Sequence, residues 1–180
     1  MLPSLVILAV RTMRRILMVI SPRNFRDEEL LESKDVLKKA GFEVVVTSVT
    51  SETCIGMFGT MVKPDRVIDE LNVEEFDAMV IIGGTGTPVL NQYDKVLQVL
   101  REANEQKKIL AAICLGPIVL AKAGVLDGKK ATVFPSGVSK IESGGAQYVS
   151  KSVVIDGNLI TADGPQSAKM FGNAIVSALA

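Results

Sequence analysis

Short apolar runs typical of β-strands alternate along this chain with amphipathic stretches typical of helices. The first unit runs from a strand over residues 16–20, through a helix over residues 27–40 that Gly41 ends, to a strand over residues 43–49. Parallel strands need a long crossover, usually a helix, between them. The pattern therefore predicts an α/β fold: a three-layer sandwich with a mostly parallel sheet and helices on both faces.

The rest of the chain continues this alternation. Further strands are predicted over residues 78–82, 109–113, 130–133, 152–155 and 159–161, and further helices over residues 94–106, 117–123 and 165–180. The run at 109–113 is apolar on both faces, which is typical of a central strand. Asp156-Gly157 predicts a hairpin between the last two strands. With no linker-like stretch and no internal repeat, the sequence predicts one domain over residues 15–180.

The first fourteen residues contain an apolar run that is too short to span a bilayer. Their positive charges follow this run, whereas a secretory signal would carry them before it. We interpret residues 1–14 as an N-terminal extension and expect no membrane association. A natural start at Met13, an added edge strand and an oligomer contact are the alternatives.

Charge and reactive-residue counts exclude several classes of protein. Twenty basic residues balance twenty acidic ones, so nucleic acid is not an expected partner. The two cysteines, Cys54 and Cys114, form no CxxC pair and no metal-ligand spacing, which indicates free thiols in a reducing cytoplasm. The chain has no histidine. A mechanism that uses a histidine of this chain as base or metal ligand is therefore excluded, and no metal or cofactor is expected.

Cys114 lies in a segment with the form of a nucleophile elbow. Ala112 and Gly116 flank it at the two positions where bulk would collide in a sharp strand-to-helix turn, and Pro117 suits the first turn of a helix. The dipole of that helix predicts a thiol pKa below the usual value of about 8.5. A buried Cys is commonly a small core residue, but the elbow favours a reactive role.

Three loops follow strand ends, where ligands bind in open parallel sheets: residues 21–29, 83–88 and 114–117. The segment Gly83-Gly84-Thr85-Gly86 lacks the spacing of a nucleotide-binding loop. We predict that backbone N–H groups of Gly84 and Leu115 point at an oxygen developing beside the sulfur, as in an oxyanion hole. An ordinary glycine-rich turn is the alternative.

The acidic run Asp27-Glu28-Glu29 opens the first predicted helix, where carboxylates complement the helix dipole. Its place after the first strand suggests a second use, since a carboxyl near Cys114 could donate a hydrogen bond to the thiolate or act as acid and base. Cys54 lies in a polar stretch without turn signals and is predicted to be non-catalytic.

Several of these segments resemble the ThiJ/PfpI family, part of the class I glutamine-amidotransferase-like superfamily that includes the parkinsonism-linked deglycase and archaeal PfpI-type intracellular proteases. The resemblance covers residues 15–180. The segments are Gly83-Gly84, residues 111–117, residues 123–132, residues 156–161 and Gly164-Pro165. It implies a flavodoxin-like fold, a homodimer or higher oligomer, and Cys114 as the reactive cysteine. The site residues expected around it are Gly83, Gly84, Thr85, Leu115, Gly116, Arg26 and Pro165.

Two departures limit the resemblance. The peptidase branch has His after the nucleophile and an acid after the double glycine, whereas this chain has Leu115, Thr87 and Pro88; Leu115-Gly116-Pro117 is closer to the deglycase branch. The family's glutamate at the first helix start falls on Arg26. Glu29, one turn on, is the first substitute and Asp27 the second, while Arg26 itself could stabilise a thiolate or sulfinate.

The residues and the resemblance together leave three functions open. The first is an enzyme whose Cys114 thiolate attacks small reactive carbonyls or their protein adducts, as a glyoxalase or deglycase would. The second is a stress protein without enzymatic activity that senses oxidation at Cys114. The third, an intracellular cysteine peptidase, is disfavoured because the chain has no histidine.

Overall fold

A seven-stranded sheet lies at the centre of the computed structural model, which describes residues 13–180. The interpretation of residues 1–14 as an extension lies outside the described residues, apart from Met13 and Arg14. The strands are β1 Arg15–Val19, β2 Arg23–Phe25, β3 Glu43–Ser48, β4 Cys54–Gly56, β5 Met61–Val62, β6 Arg66–Val67, β7 Ala78–Ile81, β8 Ile109–Ile113, β9 Lys130–Ala131, β10 Gln147–Tyr148, β11 Val153–Asp156 and β12 Leu159–Ala162. The central sheet has the order β11-β12-β8-β7-β1-β3-β6. Its pairs are parallel except β11 with β12.

Five α-helices within residues 13–180 accompany these strands: α1 Asp27–Lys39, α2 Asp94–Glu105, α3 Pro117–Ala123, α4 Val138–Ser143 and α5 Ala168–Leu179. Along β8, Leu110 and Ala112 join the apolar layer beneath α2 and α3, whereas Ala111 and Ile113 join the layer beneath α1 and α5. A strand buried on both faces needs apolar residues at every position, because successive side chains point to opposite faces. The predicted three-layer fold is confirmed.

The predicted elements that position the site agree closely with the structure. β8 and α3 have the predicted bounds, and β11 and β12 form the predicted hairpin. The strand predicted over residues 130–133 was wrong in extent, because β9 has two residues and pairs with β10 in a separate sheet. The last helix was also predicted too long, since Pro165–Ser167 form a 3-10 turn before α5.

Several features of the fold were not predicted from the sequence: α4, the short strands β6 and β10, and a small sheet of β2, β4 and β5. All of these strands are two or three residues long, too short for an alternating pattern to be visible. The small sheet lies next to the carboxyl ends of β1, β7 and β8, so it helps to form the rim of the site. No helix among residues 13–180 has both the length and the apolarity that crossing a membrane requires.

Candidate active site

Cys114 occupies a sharp turn between β8 and α3. Its φ is +62°, in the left-handed region that side chains rarely adopt. The residue is held on both sides, because its N–H donates to the carbonyl of Ala162 at 2.9 Å and its carbonyl accepts from the N–H of Phe134 at 2.9 Å. A Cβ on Gly116 would lie 2.6 Å from the carbonyl oxygen of Ile81, so the turn needs glycine there. Fixed φ and close packing indicate a strained residue at a functional site.

A small cavity opens above the sulfur, with a volume of about 110 Å³. Pockets for drug-sized ligands measure roughly 300–1,000 Å³. This one therefore fits a compound of a few heavy atoms or the end of one side chain. Its lining residues are Arg26, Met57, Gly84, Thr85, Cys114, Leu115, Phe134 and Pro165.

The side chain of Glu29, in the first turn of α1, lies beside Cys114. The side chain is fully buried, and its Oε1 accepts from the N–H of Gly83 at 3.0 Å. The Cys114 thiol lies within hydrogen-bonding reach of the carboxyl group. Oε2 is nevertheless buried without a well-formed hydrogen bond. A buried carboxyl oxygen in this state is satisfied best when it carries a proton to donate.

Burial dominates the electrostatics of this pair. Desolvation raises the pKa of Glu29 from 4.5 to about 7, against the lowering effects of Cys114, the N–H of Gly83 and the Arg26 charge. Desolvation, and then the Glu29 charge, raise the pKa of Cys114 from 9.0 to about 12. The prediction that the helix dipole lowers this thiol pKa was wrong. The N–H groups of Gly84 and Leu115 do lower it, but loss of solvent outweighs them.

The two groups therefore titrate as a pair. Between pH about 7 and about 12 the pair carries one negative charge, which the two groups share because the two anions together are disfavoured. When the proton lies on Glu29, that residue has no negative charge to raise the thiol pKa. Its O–H group can then donate a hydrogen bond to the sulfur. One microstate of the pair is therefore a thiolate beside a carboxylic acid.

The backbone N–H groups of Gly84 and Leu115 point at the sulfur. The sequence predicted that these two N–H groups face an oxygen beside the sulfur, whereas in the structure they face the sulfur itself. They converge because β7 and β8 are neighbours whose carboxyl ends meet. Gly84 has a φ of +121°, and a Cβ there would collide with the carbonyl oxygen of Asn24. Glycine is thus required for this N–H to reach Cys114.

Arg26 precedes α1 and lies at the rim of the cavity. Its Nε donates to Glu28 Oε2 at 2.7 Å, and its guanidinium lies 4.7 Å from the centre of the Phe58 ring. The Glu28 contact is the main cause of its raised pKa, and Cys114 also contributes through its charge. Arg26 therefore lies close enough to Cys114 for the two charges to attract each other when the thiol is ionised.

The structure does not bring Asp27 to Cys114. Both carboxylate oxygens accept from a loop between β4 and β5, from the N–H of Phe58 at 2.8 Å and of Thr60 at 2.9 Å. Burial alone would raise the pKa of Asp27, but these hydrogen bonds hold it below its usual value. The position serves to fix the rim of the site.

Replacement of Asp27 by asparagine is expected to destabilise the protein by about 2–3 kcal/mol, because one charged hydrogen bond is lost and an amide N–H faces a backbone donor. Urea unfolding measures the loss. Asp35→Asn is the matched control: Asp35 is exposed and pairs with Lys39 one turn away, so the change should stay within about 0.5 kcal/mol. Equal stability of the two variants would contradict the role given to Asp27.

Gly83 and Gly116 lie behind the cavity, not in its lining. A Cβ on Gly83 would lie 2.5 Å from Glu29 Oε1, 2.5 Å from the carbonyl oxygen of Ile113 and 2.6 Å from Cys114 Cβ. No space remains between three segments: the loop at Gly83, helix α1 and the end of β8. Gly83 therefore serves as a spacer that also holds Glu29 through its N–H.

Gly83→Ala is accordingly expected to cost about 3 kcal/mol of stability through overpacking. For a chain of this size that corresponds to a fall of roughly 6–12 °C in Tm, measured by calorimetry. Gly164→Ala should change Tm little, since a Cβ there would meet only Phe134 Cδ2 at 3.6 Å. A Gly83→Ala protein as stable as Gly164→Ala would mean that the three segments are not tightly packed.

The remaining predicted residues are placed as follows. Thr85, Leu115 and Pro165 line the cavity as expected, whereas Met57 and Phe134 were missed because they come from segments without a motif. Cys54 is buried away from the cavity, and burial raises its pKa. Among residues 13–180, no group of three or more Cys, Asp or Glu side chains is placed to hold a metal ion.

Comparison with known sequences identifies the family. The sequence profile of the DJ-1/PfpI family matches residues 14–178. The chain belongs to this family. An uncharacterized protein of Methanocaldococcus jannaschii is 40% identical over 168 residues, 92% of this chain and 82% of the relative. A deglycase of Pyrococcus horikoshii is 35% identical over 146 residues, 81% of this chain and 88% of the relative.

Solved structures of DJ-1/PfpI proteins share the fold. The crystal structure of a ThiJ/PfpI domain protein from Brachyspira murdochii matches with a TM-score of 0.90 and 35% identity, covering 93% of this chain and 96% of the other. The family resemblance drawn from the motifs is therefore confirmed. The flavodoxin-like architecture accounts for the meeting of Glu29, Gly84 and Cys114 at one edge of the sheet.

Proposed function

We propose that this protein acts on small reactive carbonyl compounds, or on their protein adducts, through the sulfur of Cys114. The observation that carries the proposal is the contact between Cys114 and the buried carboxyl of Glu29 beneath a cavity of about 110 Å³. A nucleophile and an acid that share one proton can attack a carbonyl carbon and protonate its oxygen in one site. A deglycase among the relatives supports this interpretation.

The first step uses the microstate in which the proton lies on Glu29. The thiolate of Cys114 bonds to the aldehyde carbon, the π electrons move to the oxygen, and that oxygen takes the proton of Glu29. The product is a hemithioacetal. The N–H groups of Gly84 and Leu115 stabilise the charge that develops beside the sulfur, a contribution that is typically large in such reactions.

For methylglyoxal, the remaining steps follow from the same two groups. The Glu29 carboxylate removes the proton from the carbon bonded to sulfur and returns it to the neighbouring ketone carbon, while the hydroxyl proton passes to the ketone oxygen. The carbon bonded to sulfur thereby becomes a carbonyl, which leaves a thioester of lactate on Cys114. Water then adds to the thioester and the thiolate leaves. The net reaction converts methylglyoxal and water to lactate and a proton, without oxidant or cofactor.

Hydrolysis of peptide bonds fits the site less well. An amide leaving group must be protonated as it departs, and cysteine peptidases of the Cys-His type use histidine for this step. This chain has no histidine, and Leu115 follows the nucleophile. Any peptidase activity would require a proton donor other than histidine.

Sensing of oxidation at Cys114 is the second candidate function. Glu29 Oε2, buried without a well-formed hydrogen bond, favours this function, since a protonated Oε2 could donate to an oxygen added to the sulfur by peroxide.

The proposal also includes the expected cytoplasmic location and an assembly of two or more copies.

Incubation of the purified protein with methylglyoxal tests the main proposal. Lactate should form in a one-to-one ratio with methylglyoxal consumed, as followed by proton NMR, while casein remains intact. If methylglyoxal is not consumed, and mild peroxide adds two oxygens to Cys114 alone by mass spectrometry, the oxidation sensor replaces the enzyme as the best hypothesis.

A further inference from the structure

Within the described part of the chain, Arg26 is the one charged side chain among the residues that line the Cys114 cavity. The other lining side chains are apolar or small, apart from the thiol and a threonine hydroxyl. Arg26 also borders two surface grooves of about 390 and 410 Å³, which share Arg26 and Pro165 with the cavity. A ligand that occupies the cavity at Cys114 therefore lies beside this guanidinium.

The guanidinium is held in a fixed place. Its Nε and one terminal nitrogen contact the two oxygens of Glu28, at 2.7 and 3.3 Å, and Phe58 covers it. Its backbone N–H donates to the carbonyl of Gly83 at 2.7 Å, which ties the residue to the loop beside the sulfur. A guanidinium has five N–H donors in a fixed plane, so roughly three remain for a ligand after the Glu28 contact. A fixed planar donor set suits a carboxylate.

We infer that Arg26 selects carbonyl compounds with a carboxylate bonded to the carbonyl carbon, the 2-oxo carboxylates, of which glyoxylate is the smallest. The inference rests on the proposed function, since it assigns a substrate class to the same site. In these compounds the reactive carbon and the carboxylate are directly bonded, so one small molecule reaches both the sulfur and the guanidinium. A cavity of about 110 Å³ has room for a molecule of this size.

The chemistry with glyoxylate ends at the first addition. The Cys114 thiolate bonds to the aldehyde carbon, the π electrons move to its oxygen, and that oxygen takes the proton of Glu29. The neighbouring carbon is a carboxylate and not a ketone, so no proton shift leads on to a thioester. Glyoxylate is accordingly a reversible ligand that occupies Cys114 and protects it from alkylation.

Glu28 opposes this binding. Its carboxylate takes up part of the guanidinium's charge and donors. Removal of this charge by Glu28→Gln is expected to strengthen glyoxylate binding, whereas Arg26→Gln weakens it. General damage to the site would weaken glyoxylate binding in both variants. Stronger binding in Glu28→Gln and weaker binding in Arg26→Gln would instead show that the site recognises the charge of the ligand.

The experiment measures how glyoxylate slows alkylation of Cys114 by iodoacetamide, compared with glyoxylamide, its uncharged analogue of equal shape. Alkylation is followed by peptide mass spectrometry, so no turnover is needed. The ratio of the two protection constants is taken within each protein, which cancels any change in thiol reactivity. We expect glyoxylate to protect at least about ten times better in the wild type, with that preference lost in Arg26→Gln, reduced in Arg26→Lys and increased in Glu28→Gln.

Equal protection by the two compounds in the wild type, or a preference that survives Arg26→Gln, would overturn the role of Arg26 and leave the carbonyl function intact. Protection by neither compound would overturn both, because the thiol would then form no carbonyl adduct. A circular dichroism spectrum identical to that of the wild type shows that each variant is folded.

Discussion

Exchange of Cys114 for serine is expected to reduce methylglyoxal consumption by at least about 10³-fold. A hydroxyl loses its proton far less readily than a thiol, and the chain has no histidine to take it. Glu29, whose pKa is about 7, is too weak a base to produce an alkoxide in quantity. Loss of methylglyoxal absorbance and formation of lactate measure the effect.

Cys54→Ser is the matched control, because it makes the same atom change at the other thiol. Cys54 is fully buried and lies outside the cavity lining. We expect the turnover number of this variant to stay within about two-fold of wild type, even if its Tm falls. A Cys114→Ser protein that keeps its rate would remove the sulfur from the mechanism and with it the proposed function.

Glu29→Gln is expected to lower the turnover of methylglyoxal by about 10²-fold, because glutamine can accept from Gly83 as glutamate does but cannot transfer a proton. The pH profile should change as well. In the wild type the singly charged pair forms as pH rises through about 7, so the rate rises there and then levels. In the variant the thiol titrates alone, and burial keeps its midpoint above the usual value of about 8.5.

Asp27→Asn provides the comparison for this rate. Its carboxylate holds the loop at Phe58 and Thr60, so the variant should lose stability but keep turnover and the rise near pH 7. Retention of full rate and of that rise by Glu29→Gln would mean that Glu29 is not the acid. Cys114 would then remain the proposed nucleophile, and the proton would have to come from a group other than Glu29.

Glu29→Gln should also change how the free energy of unfolding depends on pH. The folded-state pKa of Glu29 is raised from 4.5 to about 7. The stabilisation that the protonated carboxyl contributes to the folded state is therefore fully present below about pH 4.5 and is lost as pH rises through about 7. The loss amounts to roughly 3 kcal/mol. Glutamine has no proton to lose. Urea unfolding at several pH values should therefore find Glu29→Gln gaining stability relative to wild type between pH 4.5 and 8.

The elbow and the main sheet could be predicted from residues because their signals are local. A strand buried on both faces must be apolar throughout, and residues 109–113 are. A sharp turn must have small residues at fixed offsets, which Ala112 and Gly116 supply around Cys114. The convergence of Gly84 and Leu115 followed from the rule that parallel strands end at one edge.

The choice between Asp27 and Glu29 needed the tertiary structure. Both open the same helix, and their sequence context is alike. Asp27 points at the loop between β4 and β5, whereas Glu29 points at Gly83 and Cys114. The small sheet that carries this loop has strands too short to be recognised from a pattern, so the partner of Asp27 was not visible in the sequence.

Residue types and their spacing were enough to predict the layered fold, the cysteine at the elbow and its two neighbouring backbone donors, since each of these depends on local order along the chain. The charge state of the site depends instead on the packed structure. The dipole at the helix start predicted a low thiol pKa, but packing withdraws Cys114 and Glu29 from water. Desolvation depends on every segment that covers a group, and no local pattern encodes it.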